Sequence, residues 1–110
     1  MDKQLLREIN QLHAEVCGGL ADPKRIAILY AIADAPLTVS QLAGSLDAPQ
    51  PTISRHLKIL RDHGMVIAER DGANIYYALA DKRILKALDL LREVLADHLS
   101  KRSALAEAIA

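Results

Sequence analysis

The side chains best equipped to do chemistry lie in one short stretch: Gln50, Thr52, Ser54, Arg55, His56 and Lys58, interleaved with Ile53, Leu57, Ile59 and Leu60. An amide, two hydroxyls, an imidazole and two cations are groups that bond base edges and phosphate oxygens. The apolar positions recur at helical spacing, which predicts a helix with one buried face and one cationic polar face. Pro49 and Pro51 stand in or just before its first turn, where a helix tolerates proline, and the hydroxyls of Thr52 and Ser54 lie close to that start. The plain alternative is an amphipathic surface helix whose charges are merely solvated. The flanking segments favour a DNA recognition helix.

Those flanks must position the polar face. Upstream, Val39 to Leu46 is a short helix that Thr38 or Ser40 can cap, with Leu42 and Leu46 directed inward and Ala43-Gly44 permitting close approach to a neighbour. Asp47-Ala48-Pro49 is the turn, and Gly64 closes the recognition helix at about His63, in the position where positive φ is needed. A short helix, a tight turn and a cationic helix make a helix-turn-helix. Residues 65–70 and 73–79 are β-branched and aromatic segments joined by Asp71-Gly72, a hairpin that forms a wing. Arg70 and Asn74 near its tip are expected to reach a minor groove or phosphates; the alternative is a solubilising hairpin with its tyrosines packed on the core.

Two further elements precede this unit and one follows it. Leu5, Ile9, Leu12 and Val16 form an apolar stripe on a first helix over residues 3–17, which Gly18-Gly19 weakens or ends. Asp22 caps and Pro23 opens a second helix carrying Ile26, Ile28, Leu29 and Ile32 to about Asp34, apolar enough to be the most buried helix, and Ala35-Pro36 stops it. Asp81 opens a long helix in which Ile84, Leu88, Leu91, Leu95 and Leu99 recur at heptad-like spacing, more apolar surface than one small domain needs. The first and last helices are therefore expected to pair with their symmetry mates through Leu5, Ile9, Leu12, Val16, Leu88, Leu91, Leu95 and Leu99. A two-fold homodimer of that kind sets its recognition helices one DNA turn, roughly 34 Å, apart and reads a palindromic operator. The expected fold is mainly α with a β-hairpin wing, a winged helix-turn-helix in the order α-α-α-α-β-β-α, as a single domain over residues 1–110.

Composition narrows the function classes. Fourteen basic and fourteen acidic residues cancel, so any attraction to nucleic acid is local, as around Arg55, Lys58, Arg61 and Arg70. No apolar run approaches the ~20 residues of a membrane span, and the charged first residues are unlike a secretory leader, so a cytoplasmic location without membrane partners is expected. Cys17 is the single cysteine, which excludes an intrachain disulfide and a Cys-x-x-Cys metal or redox motif. No nucleophile-base-acid set, glycine-rich phosphate loop or carboxylate pair stands at a catalytic spacing, and an enzyme is not expected.

The element order, with Ala-Asp-Pro-Lys-Arg-Ile-Ala-Ile-Leu at 21–29, Gln-Pro-Thr-Ile-Ser-Arg-His-Leu-Lys-Ile-Leu-Arg at 50–61, Gly-Met-Val at 64–66 and Asn-Ile-Tyr-Tyr-Ala-Leu at 74–79, resembles the ArsR/SmtB family of bacterial winged-helix repressors across about residues 15 to 99. The resemblance implies a homodimeric repressor that leaves its double-stranded DNA operator when an inducer, commonly a metal or metalloid ion, binds. The family's usual sensing motifs do not carry over. Where a Cys-Val-Cys is implied, this chain has Thr38-Val39-Ser40; where an Asp-x-His with two later ligands is implied, it has Asp81-Lys82-Arg83, then Val94 and Asp97. No resident cofactor and no metal ligand set is therefore expected. His13, Cys17 and His98 remain as a possible sensor across the dimer interface, against a free cysteine with two surface histidines, or a Cys17 that responds to oxidants. A dimeric winged-helix interaction module that does not bind DNA is the alternative function.

Overall fold

The computed structural model describes residues 1–110. Its elements are α1 (Lys3–Leu12), α2 (Pro23–Ala31), α3 (Val39–Leu46), α4 (Gln50–Asp62), β1 (Val66–Asp71), β2 (Asn74–Leu79) and α5 (Arg83–Ile109), with a π-helical turn, His13–Cys17, between α1 and α2. This is the winged helix-turn-helix order expected, with one addition. The first helix does not run regularly to Cys17: it widens at His13, whose carbonyl accepts from the Gly18 amide at 2.9 Å. A π turn inserts one extra residue and redirects the chain. It brings Gly18 and Gly19 against the end of α4, where a Cβ on Gly19 would meet Met65 Cε at 3.0 Å and His63 Cβ at 3.1 Å. His63 Nδ1 also lies 2.8 Å from the Glu15 carbonyl.

The helix boundaries follow from local chemistry. Asp22 accepts from the Lys24 amide at 2.7 Å and Pro23 fills the first turn of α2. That hydrogen bond holds the Asp22 carboxyl below its ordinary range. Thr38 and Gln41 form a reciprocal capping box on α3. Both helices of the motif end alike: the Ala48 amide reaches the Ala43 carbonyl with Asp47 at φ 50°, and the Met65 amide reaches the Leu60 carbonyl with Gly64 at φ 71°. Neither Thr52 nor Ser54 caps α4, which starts on Pro49 without a side-chain hydrogen bond.

α2 stops at Ala31, earlier than the expected Asp34, because the chain must turn in time for Leu37 to pair with Tyr77. Leu37 donates to the Tyr77 carbonyl at 3.0 Å and accepts from its amide at 2.8 Å, a one-residue third strand at the base of the wing. The hairpin itself pairs Val66 with Leu79 through Asp71 with Asn74, so the loop is Gly72-Ala73, one residue later than expected, with Gly72 at φ 63°.

The core consists of Ile28, Leu29 and Ile32 on and after α2, Leu42 and Ala43 on α3, Ile53, Leu57 and Leu60 on α4, Met65 and Val66 entering the wing, and Leu88 on α5. α4 contributes four fully buried residues to α2's two, but α2 is the more enclosed helix overall, as expected: of its residues only Pro23 is exposed, whereas α4 leaves a whole face open. Gly44 approaches nothing: a Cβ there would have no neighbour within 4 Å, and the close packing expected of it falls to Ala43 alone. α1 buries no residue, and on α5 every residue beyond Leu88 is exposed. The radius of gyration is 17.4 Å, against about 13 Å for a compact chain of this length; the projecting terminal helices account for the excess.

Candidate nucleic-acid interface

α4 turns an arc of apolar side chains onto the core and leaves Gln50, Ser54, Arg55, Lys58, Arg61 and Asp62 exposed. The inward arc holds one residue expected outside. His56 is 6% exposed, and its Nδ1 lies 3.3 Å from Arg25 Nη1. It is not placed to read a base edge. At 100° per residue His56 sits beside Ile53 and Leu60 on the wheel, and Arg25 supplies the partner that makes an inward imidazole tolerable. With the guanidinium donating to Nδ1, the ring is neutral with its proton on Nε2. Burial pushes its pKa down; Arg25, Arg55 and Lys24 add to the shift and Asp22 opposes it. Thr52 is half-buried and lines a cavity with Asp22, Lys24 and His56, toward α2 rather than the centre of the open face.

Arg25 does more than hold His56. Its Nε donates to the Gly19 carbonyl at 2.8 Å and its Nη2 reaches the Gly18 carbonyl at 3.4 Å. One guanidinium thus joins the segment after the π turn to the middle of α4. Sequence reasoning missed it because a cation in the first turn of a helix reads as solvated; the paired glycines were the available signal.

On the open face Lys58 pairs with Asp62 at 3.0 Å, both largely exposed. Gln50 Nε2 donates to Ser40 Oγ at 3.4 Å, connecting the starts of α4 and α3. On the wing, Arg70 and Asn74 are exposed; Arg70 stands between Glu69 and Asp71, and Asn74 lies opposite Asp71. The tip is therefore not a cationic patch.

At the other end of the molecule, Leu5, Ile9, Leu12, Leu91, Leu95 and Leu99 are 43–63% exposed. Val16 is half-buried. Leu88 departs from the expected interface set, because at 6% exposure it belongs to the protomer's own core. An apolar groove of about 440 Å³ runs between the π-turn segment and α5, bounded by Leu12, Val16, Leu20, Ile84, Leu88 and Leu91. α5 is tied to α2 by Tyr30, whose hydroxyl donates to Asp89 at 2.6 Å, while Arg92 lies 5.2 Å over the Tyr30 ring. The hydrogen bond to Asp89 raises the Tyr30 pKa.

The family's implied metal positions do not fit a metal here. Thr38 Oγ1 is engaged as the cap of α3 and Ser40 Oγ accepts from Gln50. Asp81 is held by Arg83 at 2.7 Å, which lowers its carboxyl to about 2 and puts a guanidinium where a cation would sit. Cys17, His13 and His98 are exposed, and no three His, Cys, Asp or Glu side chains converge within the protomer.

The family profile described as bacterial regulatory protein, arsR family, matches residues 22–68, from the cap of α2 into the wing. A transcriptional repressor SmtB homolog from Synechocystis is 40% identical over 83% of this chain and 66% of its own length. The Mycobacterium tuberculosis protein Rv0081 has a crystal structure that superposes with a TM-score of 0.76 at 35% identity, over 86% of this chain and 95% of that one. The chain belongs to the ArsR family. A second solved structure, the homodimeric winged helix-turn-helix DNA-binding domain Mb0332 from Mycobacterium bovis, gives a TM-score of 0.76 at 27% identity, over 92% of this chain and 93% of that one. The chain spans 58–66% of the length of the first curated relatives it matches.

Proposed function

We propose that this ArsR-family chain is one protomer of a homodimeric transcriptional repressor that binds a palindromic double-stranded DNA operator through α4 and acts in the cytoplasm. The observation that carries the reading is α4 itself: a helix anchored by four buried residues whose outer face exposes Gln50, Ser54, Arg55 and Lys58 to solvent. Arg55 and Lys58 contact phosphates, while Gln50 and Ser54 face base edges. The unburied stripes of α1 and α5 support the dimer, as does the homodimeric relative. No helix is long and apolar enough to cross a membrane. Release follows from an inducer that acts at the α1–α5 interface and repositions the two reading units, a coupling of about 1–3 kcal/mol. Cys17, His13 and His98 are the side chains there able to register an oxidant or a soft ion.

The test is an anisotropy titration on the DNA upstream of the chain's own gene, repeated with peroxide, zinc, cadmium and arsenite on wild type and Cys17→Ser. Palindrome-specific binding that Arg55→Ala weakens on every sequence, with a flatter salt dependence, supports the repressor reading. Release by one agent only when Cys17 is present names the sensor. A dimer with no salt-dependent DNA binding is instead an interaction module.

A further inference from the structure

We propose that the cleft between α4 and the wing is a binding site for a DNA phosphodiester, with Arg61 as its anchor and Tyr77 as a second donor. The proposal rests on the reading of α4 as the recognition helix and adds the residues that seat its flank on the sugar-phosphate strand. The cleft holds about 530 Å³ and is lined by Ser54, Lys58, Arg61, Asp62 and Tyr77.

Charge singles out Arg61. Lys58 and Asp62 neutralise each other across 3.0 Å, whereas Arg61, exposed on the last turn of α4, joins none of the chain's three ion pairs. The cleft therefore keeps one uncompensated positive charge, on the planar fork that matches phosphate oxygens. Tyr77 is rooted on both sides, paired with Ala68 across the hairpin and with Leu37 at the wing's base. Its phenol is half-buried, and Tyr30 is the only tyrosine whose hydroxyl is engaged within the chain. A fixed ring with a free hydroxyl is a pre-oriented donor.

The dimensions agree. A helix with its side chains is about 10–12 Å across and the major groove about 12 Å wide, so a seated helix has a phosphate strand along each flank. The cleft is the flank on the wing side. Ser54 stands two turns before Arg61 along the same side of the helix, so the lining follows the strand rather than a single point. By contrast the wing tip brackets Arg70 with Glu69 and Asp71, which places the anchor at the wing's base.

The experiment measures affinity for the upstream operator and for an unrelated duplex of equal length between about 50 and 200 mM salt, using the full-length dimer. Arg61→Gln is expected to weaken both duplexes roughly 10-fold and to reduce the log-log salt slope by about 0.9. Arg61→Lys should restore the slope. Tyr77→Phe should weaken both by about threefold at unchanged slope, because the lost hydroxyl carries no charge. If Arg61→Gln leaves affinity and slope at wild-type values while Arg55→Ala lowers both, the cleft is not a phosphate site and the recognition helix stands. Loss confined to the operator would make Arg61 a base reader and also overturn the proposal. Absence of salt-dependent binding by wild type overturns the underlying reading and the cleft with it.

Discussion

The unit from α2 to the wing and the pair of terminal helices use the same aliphatic vocabulary, but only the first finishes its packing within one chain. Ile53, Leu57 and Leu60 are at most 1% exposed, whereas Leu91, Leu95 and Leu99 are 51–63% exposed. Leu88 marks the boundary, since the same stripe on α5 begins inside the core and continues into the open. A heptad-like pattern therefore identifies a face to be covered without saying by what. The unit from α2 to the wing is stabilised by its own core, and the terminal helices carry an apolar face that this core does not cover.

The sharpest way to break that comparison is one substitution in each region, a cavity in the first and a charge on the second. Leu57→Ala should cost about 2–5 kcal/mol at any protein concentration, measured by urea unfolding, because the site is closed on all sides. Leu95→Glu should raise the dimer dissociation constant at least about 100-fold in sedimentation equilibrium, since a carboxylate cannot be left unpaired in an apolar interface. It should also abolish the concentration dependence of Tm. A Leu95→Glu protein that stays dimeric would show that the association surface lies elsewhere.

A smaller effect, in the first region, depends on pH. His56 is held neutral in the folded state, with its pKa below the ordinary value near 6.5, so the unfolded chain binds its proton first. Its contribution is complete above that value and falls as pH drops toward the folded pKa, by at most about 1.4 kcal/mol per pH unit. His56→Gln should remove this slope from the unfolding free energy. The smallest expected change is a gain: Gly44→Ala, with open space around its Cβ and no positive φ, should stabilise α3 by about 0.5–1 kcal/mol in the same assay.

Much of this architecture was legible in the sequence because local rules carried it. Asp22-Pro23, Thr38 or Ser40, and Gly64 announce helix ends through groups that satisfy backbone donors or permit positive φ within a few residues. The features that stayed hidden are those whose partner lies far along the chain. His56 reads as a polar residue on a polar helix until Arg25, 31 positions earlier, is seen to hold it. Leu37 carries no pairing signal of its own and becomes a strand only because Tyr77 meets it. The π turn has no period to betray it; it sets Gly18 and Gly19 against His63 and Met65, residues far along the chain. At the candidate interface, residue type and spacing supplied Gln50, Ser54, Arg55 and Lys58; His56 reads as outward on its polarity, although its angle on the helix sets it beside Ile53 and Leu60.

The Leu37–Tyr77 bridge has a further consequence. A two-stranded ribbon leaves an unsatisfied backbone edge on either side, each a template onto which another molecule's strand can add. Leu37 occupies the β2 edge at its base, and on β1 the succession Glu69, Arg70, Asp71 lines the other with charge. An exposed hairpin guarded on both edges is thus kept from recruiting its own copies into fibres.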